Sequence, residues 1–122
     1  MSRRRARDAG VATAEVAVAL PALVVLVAAG MTAVSVLTAQ LRCVDAAREA
    51  ARAAARGESA AVVRSLAARS GPRGSQVEVS SPGEEVQVTV SSEARPVGGL
   101  LPSFRVAATA VALREPEPSG VP

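Results

Sequence analysis

Aromatic residues are almost missing from this chain: 122 residues hold one Phe, no Tyr and no Trp. That removes the stacking platforms on which bases and sugars are usually held. His is absent and Cys occurs once, at Cys43. A zinc site, a Ser–His–Asp triad and a Cys–His pair are therefore excluded by inventory. No metal or cofactor is expected, and the chain is not expected to be an enzyme. Lys is missing too, all 14 basic residues being Arg. Together with the abundance of Ala, this reads as a GC-rich coding bias rather than as a functional signal.

The formal net charge is +3, but it is confined to one end. Arg3, Arg4, Arg5 and Arg7 stand against Asp8 in the first ten residues, which carry the whole excess. The remainder is balanced, and no nucleic-acid partner is expected.

The last shortage is local and the most informative. Residues 16–37 contain no charge, and residues 11–40 contain only Glu15. About 20 apolar residues suffice for a helix to span a bilayer. An ordinary amphipathic helix would keep one polar face, which this segment lacks. The reading is a single membrane-spanning helix, with the Arg cluster holding the N-terminus in the cytoplasm and the C-terminal part extracytoplasmic. The apolar run is longer than a secretory signal peptide needs, and it passes straight into more helical sequence.

Residues 41–56 continue the helix, being rich in Ala, Arg and Glu. Asp45 and Glu49 precede Arg48 and Arg52 by three residues, placing opposite charges side by side. Arg42, Arg48, Arg52 and Arg56 thus read as a solvated, salt-bridged face. Gly57, just after Arg56, is a stop signal. A second, short helix is expected over residues 59–69 and a loop over 70–74. The period then changes to two. Strands are expected over residues 76–80, 85–91 and 104–114, separated by a turn at 81–84 and a loop holding Pro96, Gly98, Gly99 and Pro102. The tail, residues 116–122, is Pro-rich and expected to be disordered.

The expected fold class is α+β: a long N-terminal transmembrane helix, a short second helix and a small three-stranded antiparallel sheet. The expected segments are a leader (1–10), a transmembrane and assembly helix (11–57), an extracytoplasmic α/β module (58–115) and the tail.

Four features lie in fixed order near the N-terminus: the basic leader, Gly10, Glu15 and an apolar run containing Pro21. Cleavage after Gly10 would leave Val11 with a free amine. Glu15 would become the fifth residue of the mature chain. A carboxylate in an apolar span needs a partner, and the amine of a neighbouring subunit would neutralise it and fix the axial register of the two helices. Pro21 removes a backbone donor and loosens the helix locally, in a setting where neighbouring helices can satisfy the freed carbonyl.

Residues 10–15, Gly-Val-Ala-Thr-Ala-Glu, are similar to the class III (type IV prepilin) processing site. Glu15, Ala17 and Pro21 match the Glu, Ala two on, Pro six on signature of the TadE-like family, and residues 41–52 also resemble the helix of such proteins from GC-rich Gram-positive bacteria. The resemblance covers residues 8 to about 58, and the strands only in general pattern.

It implies a pilin-like minor pilin of a tight-adherence (Flp-type) type IV pilus. It also implies cleavage by a prepilin peptidase after Gly10, partners among other pilins, the assembly machinery and the cell membrane, a place in the pilus after processing, and a part in cell adhesion. Flp major pilins have Glu-Tyr where this chain has Glu15-Val16, are much shorter and lack a β domain, which directs this chain to the minor class. Val11 stands where other type IV pilins have an aromatic residue, which argues against N-methylation of Val11.

Two other readings remain open. One is an uncleaved single-pass anchor presenting a small binding module, and the other is a secreted domain behind a signal peptide. Cys43 reads either as a small buried or lipid-edge residue or as half of an intermolecular disulfide. Ala28, Ala29, Gly30 and Ala33 either permit close helix packing or are filler in an Ala-rich chain.

Overall fold

The computed structural model describes residues 2–116. Except for Pro116, the tail expected to be disordered lies outside them. The element order is α1 (Ser2–Ala55), α2 (Ala60–Ser70), β1 (Gln76–Ser80), β2 (Glu85–Ala94), a 3-10 turn (Val97–Gly99) and β3 (Phe104–Leu113). This is the α+β architecture that the sequence led us to expect.

Helix α1 has 54 residues, roughly 80 Å at 1.5 Å per residue. It begins at Ser2 rather than at residue 11. From Arg3 to Ala9 the leader holds only Arg, Ala and Asp, and the one Gly that follows costs only about 1 kcal/mol in a helix, so nothing there stops it. Pro21 also lies inside α1 without ending it. The termination at Gly57 does hold. The Gly57 N–H donates to the Ala54 carbonyl at 3.0 Å and the Glu58 N–H to that of Ala53 at 3.2 Å. With Gly57 at φ 91°, this is a Schellman arrangement, which reverses the chain and satisfies two orphan carbonyls.

Ser59 caps α2, its Oγ accepting from the Val62 N–H at 3.4 Å. Helix α2 then lays Val63 and Ala67 into the core.

The sheet is an antiparallel meander in the order β1-β2-β3. Strand β2 alternates strictly, with Val86, Val88, Val90, Ser92 and Ala94 buried on one face. It continues three residues beyond the expected end because β3 pairs with it as far as Ala94↔Phe104. The buried face lies on the second half of α1. There Cys43, Ala46, Ala47, Ala50, Ala53 and Ala54 form an apolar stripe at three- and four-residue spacing. Small side chains let helix and sheet approach closely, so the valines of β2 fill the gap.

The anticipated ion pairs along α1 do not form: the Arg95–Glu93 contact at 3.5 Å is the only salt bridge among the described residues. Glu49 instead accepts a hydrogen bond from Ser70 Oγ at 2.6 Å, joining α1 to the end of α2. Exposed ion pairs gain little over water, so a nearby hydroxyl can take their place.

Candidate processing and assembly site

Gly10, Val11, Glu15 and Pro21 all lie on one continuous helix, exposed on every side. A Cβ built on Gly10 would meet nothing within 4 Å. Close packing within this chain therefore does not require Gly at that position. Glu15 closes no ion pair with any described residue. Val11 and Glu15 are four residues apart, one helical turn, and so share a face. Pro21 lacks the N–H that would bond the Ala17 carbonyl, freeing one acceptor inside the apolar run.

The rest of the span is suited to lipid. Among the described residues, α1 is the one helix long and apolar enough to cross a membrane, and no residue of its apolar window of 18 residues is buried within the chain. Its threonines do not carry unpaired hydroxyls outward. Thr13 donates to the Ala9 carbonyl at 2.8 Å, Thr32 to Ala28 at 2.7 Å and Thr38 to Val34 at 2.8 Å. Each bonds one turn back, which is how hydroxyls are hidden in apolar helices.

Cys43 is free and fully buried. Burial pushes its thiol up from the ordinary value, so the sulfur is neutral and packed. Of the two readings for Cys43, the structure holds the buried one.

The sequence reading missed the connection between β2 and β3. Residues 96–104 carry no charge and hold the chain's single Phe, Phe104. They do not extend into solvent. Val97 borders a hollow with Leu23, Val24, Val27 and Met31, while Leu101 and Phe104 border another with Val25, Ala29, Thr32 and Leu37. The signal available in the sequence was a charge-free stretch closed at both ends by Arg95 and Arg105.

A family model described as TadE-like protein matches residues 10–52, the segment from the proposed cleavage position into the core-forming half of α1. The chain is also similar to a Mycobacterium tuberculosis (strain ATCC 25618 / H37Rv) protein named Apoptosis inhibitor Rv3655c. The two are 45% identical over 108 residues, which is 84% of this chain and 78% of that protein. No solved structure matches. A relative this similar over most of both chains, and a family match on the segment holding Gly10, Glu15 and Pro21, leave a single assignment: the chain belongs to the TadE-like family.

Proposed function

We propose that this protein is a minor pilin of a tight-adherence pilus, cut by prepilin peptidase after Gly10 and assembled through α1. Membership of the TadE-like family associates it with pilus machinery and with a membrane. The observation that carries the finer reading is Glu15. It is a carboxylate on an exposed apolar helix, five residues after Gly10, with no ion-pair partner among the described residues. A carboxylate at the edge of an apolar membrane helix is costly if it is drawn into the hydrocarbon unpaired. Such a residue is explained by a partner outside the chain, and a newly made amine on a neighbouring Val11 has the right charge and would lie one helical turn from it.

The role is structural. The span holds the chain in the membrane with its N-terminus cytoplasmic, as the four leader arginines favour. The module carried beyond the span then faces the exterior, where it meets other pilins or a surface to which the cell adheres. Removing the leader frees the Val11 amine and deletes the charges that hold the helix in place. Helix α1 then leaves the bilayer for the fibre.

One observation favours the uncleaved anchor as a second reading: the backbone is helical through residues 10 and 11, whereas a protease takes an extended chain. Gly10 is the leader residue that resists unwinding least. Mass spectrometry of the mature N-terminus, in cells with and without the peptidase, separates the two. A peptidase-dependent start at Val11 is the expected result. A start at Met1 or Ser2 in both strains would leave the uncleaved anchor.

A further inference from the structure

The axial position of the β2–β3 connection has a consequence for how the module meets the bilayer. The Gln40 side chain donates to the Ala107 carbonyl at 2.9 Å, and the Glu115 N–H donates to the Ala55 carbonyl at 3.0 Å. Strand β3 therefore runs alongside α1 in the same direction, and its Phe104 end points back toward the apolar half of the helix. The loop hanging from that end reaches the level of residues 23–37. Those residues are the later part of the charge-free segment. If about 20 residues from Val16 fill the hydrocarbon, its boundary falls near residue 36. A loop resting on the helix at and below that level shares the slab with lipid.

Its chemistry fits the place. Residues 96–104 are uncharged, and Leu100 points away from the chain with 85% of its surface exposed. Val97, Leu101 and Phe104 remain partly exposed beside it. Pro96 is buried and roots the loop in the module. Val97 has φ 54°, followed by Gly98 at 60° and Gly99 at 91°. A left-handed backbone is uncommon for a β-branched residue, and here it turns the Val97 side chain toward α1. The Leu100 N–H donates to the Val97 carbonyl at 3.1 Å, which removes two polar groups from the cost of meeting lipid.

Just above the loop the charge is one-sided. Arg73 from the α2–β1 connection, Arg95 from the end of β2 and Arg105 from the start of β3 line one hollow with Gln76, Ser91 and Glu93. Glu93 contacts Arg95 alone, at 3.5 Å, leaving an excess of two positive charges. The opposite end of the module groups Arg56 and Arg114 with Glu58 and Glu115 and has no such excess. Guanidinium groups at the height of a bilayer surface recognise phosphate oxygens.

We infer that residues 96–104 make a second membrane contact: the loop enters the leaflet on the module's side, and Arg73, Arg95 and Arg105 bind the headgroup phosphates of anionic lipids above it. This rests on the reading of α1 as a membrane span. The contact clamps the module to the bilayer at a fixed angle, and it must be withdrawn before the chain joins a fibre.

The test uses the full chain carrying Cys43→Ala, with one probe cysteine at a time at Leu100, at Val25 within the span, or at Ser81 in the far hairpin. Each is labelled with a polarity-sensitive fluorophore and reconstituted in phosphatidylcholine vesicles with and without phosphatidylglycerol. Nitroxide acyl chains serve as quencher, and circular dichroism verifies that each variant keeps the parent's helix content. Quenching is expected at Val25 and Leu100, greater at Leu100 with phosphatidylglycerol, and absent at Ser81. Quenching at Val25 without quenching at Leu100 overturns the loop contact alone. Loss of both overturns the membrane span beneath it. Replacing Arg73, Arg95 and Arg105 together by Gln is expected to abolish the phosphatidylglycerol response, and a response that persists overturns the headgroup assignment.

Discussion

Glu15 and Ala50 show how differently single residues on one helix are constrained. Glu15 is exposed and has no ion-pair partner among the described residues, so its replacement disturbs nothing inside the chain. The Glu15→Ala variant is expected to insert into membranes as the parent does and to be depleted from sheared pili. Quantifying both fractions by immunoblot checks this, and normal incorporation would remove the register role. Ala50 is the reverse case. It is fully buried in the core that α1 shares with α2 and the sheet, where the closeness of the elements depends on methyl-sized side chains. Ala50→Leu is expected to destabilise the module by about 1–3 kcal/mol through overpacking, read from denaturant unfolding in detergent. The spacing that marks this stripe was present in the sequence, yet in a segment so rich in Ala it was indistinguishable from good helix-forming composition.

Elements in this protein are set by their ends more than by their interiors. Helix α1 runs through Gly10 and Pro21 because the propensity around them outweighs either interruption. It stops where Gly57 adopts φ 91° and two backbone bonds close the last turn. A Cβ at that position would meet nothing within 4 Å, so the cost of a side chain there is conformational alone. Gly57→Ala is expected to lower stability by about 1–2 kcal/mol, seen as a lower midpoint of thermal unfolding. The strands follow the same rule. Alternating valines locate β1 and β2, whereas the last three residues of β2 are strand because β3 lies opposite them.

On the scale of the whole molecule, α1 does two jobs along its length. Its first part is exposed and apolar, and its second part is one wall of the module's core. The core therefore cannot form from residues after Gly57 alone. A fragment of residues 36–116 is expected to fold as a soluble unit, while one of residues 58–116 is expected to remain unfolded, since it lacks the stripe that covers β2. Proton NMR dispersion of the two fragments distinguishes the cases. Sharing one rigid helix also means that the module is fixed in height over the bilayer, which brings the β2–β3 loop to the level of lipid.

The sequence by itself determined the local and the periodic. The charge-free span, the Arg leader, the Gly10, Glu15 and Pro21 spacing and the alternation of β1 and β2 depend on composition and on neighbours a few residues apart, and all were legible in it. Tertiary structure decided what depends on distant residues meeting. It buried Cys43 and the alanine stripe under β2, drew Glu49 to Ser70 instead of to Arg52, and brought Arg73 of the α2–β1 connection beside Arg95 and Arg105 at the two ends of the β2–β3 connection. The physical reason is that helix and strand patterns are written in short-range sterics and hydration. Which faces touch, and at what height, is fixed only when the sheet closes on the helix.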